Sequence, residues 1–256
     1  ILGLIGHPLN HSASKTMMMH AMEDCGISGF YINFDTPSIE NIDEVIRCYN
    51  IRGMNVTHPF KMDISAHLDS LDAAAEKTSS INTILNTDGK LIGYNTDIYG
   101  ARYAIEKSGL TIDPGMKVLI LGSGGVARSC IYTLSESNAE ITVAGRNRRT
   151  VSDIKKDFGC SVTDSKDPKG YDLIINCTPL GLYADDIHPI DITQITEEQI
   201  IFDVTYGRQT PLSNTALEHR CRIISGLDML VGQGARSFEI WTGKTPDLTS
   251  MRGSIV

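Results

Sequence analysis

Apolar and polar residues follow one another along the chain in blocks whose period shifts from strand-like to helix-like and back. Leu2 to Ile5 is a short apolar run closed by Gly6; after the polar loop from His7 to Ser12, residues Met17, Met18, Ala21, Met22 and Cys25 recur at helical spacing. Gly26 supplies the stop, because a residue without Cβ takes up the left-handed conformation that closes many helices. Tyr31 to Phe34 reads as a second strand, and Ile39, Ile42, Val45, Ile46 and Tyr49 mark one face of a second helix. Gly53 to Val56 reads as a third strand. Strands alternating with helices predict a mainly parallel sheet covered on both faces.

The alternation breaks at Thr83 to Asn86 and Leu91 to Tyr94. They flank Thr87, Asp88, Gly89 and Lys90, where the Asp-Gly pair suits a tight antiparallel turn. Asn95, Thr96 and Asp97 then provide helix-start chemistry for a helix running to about Ser108, before Gly109. Thr111 to Gly115 connects to a second set of repeats: Val118 to Leu121, a helix after Gly125, Ile141 to Ala144, a helix to Phe158, Leu173 to Ile175, and Ile201 to Val204. This is a doubly wound pattern. A last helix, from about Leu227 to Trp241, carries Met229, Leu230, Phe238 and Ile240, and its spacing alone assigns it to neither half.

At 256 residues the chain suits two α/β domains. With 23 basic against 31 acidic residues, a formal charge of −8 and no run of Lys or Arg, nucleic acid and anionic membrane are excluded as general partners. Cys25, Cys48, Cys130, Cys160, Cys177 and Cys221 are scattered, without the close pairs of a zinc site or thiol–disulfide motif, so a reduced, cytoplasmic setting is expected. His7, His11 and His20 show no metal-ligand interval, and no metal is expected. No apolar stretch approaches bilayer length, and the opening residues lack a secretory leader's basic start. Because the chain opens on Ile1 inside a strand pattern, a few residues are expected to precede it.

The first feature with chemical content is Gly122-Ser123-Gly124-Gly125-Val126-Ala127, which follows the buried-strand pattern Lys117 to Leu121 and leads into a helix. Gly122 permits a tight turn, Gly124 removes the side chain that would block a pyrophosphate, and Ala127 takes the third small position where helix meets strand. The N–H groups and dipole of the helix start then face an anion. A plain structural turn is the alternative. The next strand favours the dinucleotide reading: it ends in Gly145-Arg146-Asn147-Arg148-Arg149, without the carboxylate that usually binds the ribose hydroxyls of NAD. Guanidinium groups grip a 2′-phosphate, which selects NADP, although arginines are also common on solvated loops.

Four polar clusters sit where the predicted strands of the first half end, the carboxyl ends that border the ligand crevice of an open α/β sheet: Ser12-Ala13-Ser14, Asn55-Val56-Thr57-His58-Pro59-Phe60-Lys61, Ser80-Ile81-Asn82-Thr83 and Asn95-Thr96-Asp97. Together with Gly226-Leu227-Asp228-Met229-Leu230-Val231-Gly232-Gln233, they make a constellation that resembles the shikimate dehydrogenase family over nearly the whole chain. The resemblance implies an α/β chain of two domains. Residues 1–98 and 227–256 would form a substrate-binding domain with a mainly parallel sheet, residues 99–226 a Rossmann-type NADP-binding domain, and the C-terminal helix would return to the first domain. It further implies NADPH-dependent, reversible reduction of 3-dehydroshikimate to shikimate, within aromatic amino acid biosynthesis.

Residue by residue, the resemblance implies that Ser12 and Ser14 bind the substrate carboxylate, with helix capping as their ordinary role. Thr57, Asn82 and Gln233 would serve the ring hydroxyls, and Tyr206 would contribute beside the nicotinamide; Asn55 supports loop geometry. Lys61 suits the chemistry directly, because a ketone becoming an alkoxide needs positive charge or a proton where hydride adds. The family match sets Asp97 beside it, against the plain readings of a surface lysine and an N-cap aspartate. On the cofactor side it implies Gly122, Ser123, Gly124, Gly125, Val126, Ala127, Arg146, Asn147, Arg149, Thr178, Gly226 and Met229. His58 reads as loop filler, and Cys177, within Asn176 to Gly181, as packing. A small-molecule substrate is the expected partner, and a homodimer is left open.

Overall fold

The computed structural model describes residues 1–180 and 190–256, which divide into two compact units, Ile1–Gly100 with Val231–Val256, and Ala101–Leu230. In chain order the first unit contains β1 (Leu2–Gly6), α1 (Ser14–Asp24), β2 (Tyr31–Asp35), α2 (Ile42–Cys48), β3 (Gly53–Val56), β4 (Ser70–Leu71), α3 (Ala73–Thr78), β5 (Thr83–Thr87) and β6 (Lys90–Tyr94). Helix α4 (Asp97–Lys107) carries the chain across the boundary. The second unit runs through β7 (Lys117–Leu121), α5 (Gly125–Leu134), β8 (Glu140–Ala144), α6 (Arg148–Phe158), β9 (Ser161–Thr163), β10 (Leu173–Asn176), β11 (Ile200–Asp203), α7 (Pro211–Glu218) and β12 (Arg222–Ser225). Helix α8 (Gly226–Thr242) crosses back, and α9 (Leu248–Gly253) ends the chain's helices.

The first sheet has the order β2-β1-β3-β5-β6-β4. Its pairs are parallel except those of β5, which runs against both β3 and β6, so one strand is reversed in an otherwise parallel sheet. The reversal is made by the Asp88-Gly89 turn, whose residues have φ of 52° and 87°. Both central positions of such a hairpin turn are left-handed, which Asp tolerates and Gly adopts freely. Ile5, Met54, Val56, Ile64, Ile81, Ile84 and Leu91 form one core cluster. Helix α8 packs so closely on β3 that a Cβ on Gly53 would lie 2.3 Å from the Trp241 ring, and the Trp241 indole N–H donates to the Ile84 carbonyl at 2.9 Å.

The second sheet is parallel throughout its pairs, in the order β12-β11-β10-β7-β8-β9. Successive residues of its central strands feed opposite faces. Val118, Ile120, Leu173 and Ile175 enter one core cluster; Leu119, Leu121, Ile174 and Ile201 enter another. Period-2 side chains buried on both faces explain why these strands read as unbroken apolar runs. With its sheet reversing direction of growth at β7, this is a two-domain α/β chain with a doubly wound second unit. No helix among the described residues is long and apolar enough to cross a membrane.

Candidate active site

At the carboxyl edge of the first sheet, β1 and β3 are held together past their last paired residues: Thr57 N–H donates to the Ile5 carbonyl at 2.9 Å and His7 N–H to the His58 carbonyl at 3.0 Å. A Cβ on Gly6 would lie 2.3 Å from the Thr57 methyl, so glycine there allows the two loops to meet. The His7 loop is tied by Asp35, whose carboxylate takes His7 Nδ1 at 2.7 Å and Leu9 N–H at 3.1 Å. Those two bonds, the histidine's first, hold Asp35 below the usual carboxylate range. Ser14 opens α1 and is buried, while Ser12 Oγ accepts the Ser14 N–H at 3.3 Å. The N-cap of α1 is Ala13, which makes no side-chain cap bond.

The reversed direction of β5 gives the other two clusters their position. Asn82 sits at the beginning of β5, not the end of a strand, and antiparallel pairing brings that beginning beside the ends of β3 and β6. Its backbone is pinned on both sides, Val56 N–H donating to Asn82 O at 2.8 Å and Asn82 N–H to Tyr94 O at 3.1 Å. Asn95 caps the turn into α4, accepting the Asp97 N–H at 3.0 Å. Lys61 stands on a short 3₁₀ turn, Phe60–Met62, whose carbonyl at Lys61 accepts the Ile81 N–H at 2.8 Å.

These supports bring Lys61 and Asp97 into contact. Lys61 Nζ donates to Asp97 Oδ2 at 2.6 Å, with side-chain exposures of 16% and 6%. Asp97 Oδ1 accepts from Asn82 Nδ2 at 2.9 Å, and Asn82 Nδ2 also reaches Thr96 Oγ1 at 2.9 Å and Gln233 Oε1 at 3.2 Å. An ammonium held by a nearly buried carboxylate retains N–H donors beyond the one it gives Asp97. Such an arrangement can stabilise an oxyanion or deliver a proton. Thr57 is half-buried and His58 is exposed.

Behind the pair lies a polar cluster in which Asn55, Thr83 and Thr96 of the sequence motifs meet Ser237 and Tyr31, two residues that sequence reasoning left out. Ser237 Oγ meets Thr83 Oγ1 at 2.7 Å, Thr96 Oγ1 at 3.0 Å and Asn55 Nδ2 at 3.0 Å. The Tyr31 hydroxyl donates to Asn55 Oδ1 at 2.8 Å. One signal was available: Ser237 lies a helical turn beyond Gln233, hence on the same face of α8. Nearby, burial pushes the Asp72 carboxyl up, against the opposing pull of its bonds to the Ala75 and Asn95 backbone and of Arg236. Asp72 is the N-cap of α3.

In the second unit, β7 ends at Gly122, whose φ of 108° only glycine accepts readily; a Cβ there would lie 3.2 Å from the Cys177 backbone. Gly124 caps α5, and a Cβ on it would meet nothing within 4 Å. The fold has no steric need for glycine at Gly124, as expected of a position kept open for a ligand. That opening, with the exposed N-terminus of α5, fits a pyrophosphate. Ser123 Oγ meets Thr150 Oγ1 at 2.6 Å, and Val126 is half-buried while Ala127 is buried in the core.

Beyond β8, Arg146, Asn147, Arg148 and Arg149 are all exposed, and Asn147 caps α6 by accepting the Arg149 and Thr150 N–H groups. Asn147 therefore has a structural role whatever else it touches. Thr178 follows β10 and donates its hydroxyl to Asn176 Oδ1 at 2.7 Å, while Asn176 Nδ2 reaches Asp203 Oδ1 at 3.2 Å. Tyr206 is half-buried in this unit. Gly226 opens α8 where a Cβ would lie 2.5 Å from the Val204 backbone, and Met229 is buried in the core. Cys177 packs on that core, its sulfur 3.7 Å from that of Cys130; Gly181, the end of that run, lies outside the described residues.

Residues 4–84 match the family model described as shikimate dehydrogenase substrate binding domain, and residues 226–255 that of the shikimate 5'-dehydrogenase C-terminal domain. The chain is 37% identical over its whole length to a protein of Methanococcus maripaludis named shikimate dehydrogenase (NADP(+)), covering 95% of it. The chain belongs to the shikimate dehydrogenase family. Among solved structures, shikimate dehydrogenase of Aquifex aeolicus superposes with a TM-score of 0.93 at 28% identity, covering 99% of this chain and 96% of that one. The Thermus thermophilus enzyme, solved with NADP(H) and shikimate, gives 0.91 at 30% identity, with 99% and 97% covered. The two-domain α/β fold is thus that of other shikimate dehydrogenases.

Proposed function

We propose that this chain catalyses the reversible NADPH-dependent reduction of 3-dehydroshikimate to shikimate, as its family membership supports, with Lys61 and Asp97 handling the proton. The observation that carries the site assignment is the 2.6 Å contact between the Lys61 ammonium and the nearly buried Asp97 carboxylate, fixed in turn by Asn82. NADP(H), when bound, supplies or accepts the hydride at C3 of the ring. Gly122, Ser123, Gly124, Gly125 and the start of α5 would hold its pyrophosphate; Arg146 and Arg149 would pair with the 2′-phosphate, and Thr178 would line the same cleft.

Lys61 Nζ directs its remaining N–H donors at the carbonyl oxygen, stabilising negative charge as it develops and serving with Asp97 as the proton source. Asp97 keeps the ammonium in place. Thr57, Asn82, Gln233 and Tyr206 offer neutral donors and acceptors, suited to a ring that presents hydroxyls. Ser12 and Ser14 present two hydroxyls to the substrate carboxylate, each such charge-assisted bond being worth about 1.5 to 3 kcal/mol. The free cysteines, such as half-exposed Cys25 and exposed Cys48, support a cytoplasmic setting, in which they would stay reduced.

The assay is NADPH oxidation followed by absorbance with 3-dehydroshikimate, run beside quinate with NAD and NADP. Turnover of the first pair is expected. Lys61→Ala should lower kcat by about 10² to 10⁴ and leave the KM for NADPH near its starting value. Near-normal turnover in that variant would overturn the role of Lys61.

A further inference from the structure

Asn82 poses a question of allotment. Its Nδ2 carries two hydrogens but faces three acceptors: Thr96 Oγ1 and Asp97 Oδ1 at 2.9 Å each, and Gln233 Oε1 at 3.2 Å. The orientation of the amide is settled by backbone, since the Thr96 N–H donates at 2.7 Å to Asn82 Oδ1 and so demands oxygen on that side. Nitrogen must then face Asp97 and Gln233. Asn82, Thr83, Thr96 and Ser237 are 2% exposed or less, so bulk water does not serve as a substitute partner.

The hydroxyls around Thr96 decide which way its oxygen faces. Ser237 Oγ donates to the Gln233 carbonyl one turn back on α8, at 3.0 Å. Its oxygen then receives Thr83 at 2.7 Å. With the two Ser237 Oγ lone pairs taken by Thr83 and by Asn55 Nδ2 at 3.0 Å, the Thr96 proton goes to Asn82 Oδ1 at 3.1 Å or to Thr83 Oγ1 at 3.2 Å, and in both cases a Thr96 lone pair remains for Asn82 Nδ2. Thr96 and Asp97 therefore hold the two shortest claims on the two hydrogens, and Gln233 holds the longest.

We propose that Thr96 is a positioning residue: by occupying one Asn82 hydrogen it keeps the Gln233 amide oxygen from being captured by Asn82, so that this oxygen can turn to a substrate hydroxyl. The proposal rests on the functional reading above, in which Gln233 serves the ring hydroxyls. Without the Thr96 hydroxyl, the second hydrogen has only Gln233 Oε1 to go to. Substrate must then break a shortened internal bond before it can make its own, and the loss falls on substrate binding.

The test is steady-state kinetics of NADPH oxidation with 3-dehydroshikimate on wild type, Thr96→Val, Thr96→Ser, Gln233→Ala and the Thr96→Val/Gln233→Ala double variant, with thermal melts of each. Thr96→Val should raise the KM for 3-dehydroshikimate about five- to tenfold, the worth of one neutral hydrogen bond, while kcat and the KM for NADPH stay within about twofold. Thr96→Ser, which keeps the hydroxyl, should restore the KM. In the Gln233→Ala background the Thr96→Val change should add almost nothing, because the acceptor being protected is gone. Should Thr96→Val not fold, Thr96→Ala removes the same hydroxyl with less bulk and is read the same way. A lowered melting temperature with unchanged KM, or a KM penalty of equal size in the Gln233→Ala background, would overturn the role of Thr96 while leaving the functional reading intact. An inactive wild type would sink that reading and this proposal together.

Discussion

Arg146, Arg148 and Arg149 show how little a charged side chain's surroundings need to contribute when its partner is a ligand. All three are exposed, and the Arg148 contact with Asp164, 3.8 Å between groups that are 90% and 85% exposed, is of the solvated kind worth close to nothing. Among the described residues no internal ion pair comparable to that of Lys61 is found at this tip, and the strand end bears no carboxylate. Arg146→Asp is therefore expected to leave the melting temperature within a degree or so and to reduce the preference for NADPH over NADH roughly ten- to hundredfold, the range of a lost charge-assisted hydrogen bond. Paired initial rates with the two cofactors measure it, and an unchanged ratio would reject the 2′-phosphate role. Lys61 and Asp97 are the opposite case, a pair whose partners are inside the protein. Their residue types and motif were legible in the sequence, whereas the bonds that fix them, through Asn82 to Thr96 and Ser237, join residues far apart in the chain and carry no local periodic signal.

Among the elements, most of those with a clear period or an unbroken apolar run were readable, whereas α7, β12 and several shorter elements were not. The both-face-buried strands β7, β10 and β11 announced themselves as apolar runs, and the Asp88-Gly89 turn marked the reversed hairpin. By contrast β4 spans Ser70–Leu71, β9 Ser161–Thr163 and α3 Ala73–Thr78, too few residues to complete a repeat, and they take their form from neighbours already in place. The destination of α8 was also hidden, since its apolar spacing fits either sheet. What shows it is Gly53, where the absence of a side chain lets the Trp241 ring lie against β3. Gly53→Ala forces a backbone-fixed methyl into that ring and should destabilise the protein by about 1 to 3 kcal/mol. A urea titration followed by Trp241 fluorescence reads this directly, Trp241 being the chain's one tryptophan. An unshifted midpoint would mean that the ring can move aside freely.

At the scale of the molecule, the first unit is assembled from two stretches separated by the whole of the second, and the later stretch brings core rather than trimming. Val231, Phe238, Trp241 and Met251 are each 2% exposed or less. Removing a single buried aromatic typically costs about 3 to 5 kcal/mol, and a domain's whole margin is about 5 to 15 kcal/mol. Residues 1–100 alone should thus show no cooperative melting transition, while residues 101–230, a continuous segment with its own core, should melt cooperatively. Circular dichroism of the two fragments tests both halves of the statement, and a folded 1–100 fragment would contradict it. The same discontinuity sets an order on biosynthesis. A ribosome adding about 5 to 20 residues per second leaves the first hundred residues waiting roughly ten to thirty seconds for α9 to emerge. During that interval β3 lacks the Trp241 ring that will lie against it and α1 lacks α9, which makes the nascent first unit, more than the finished enzyme, the species in need of a chaperone.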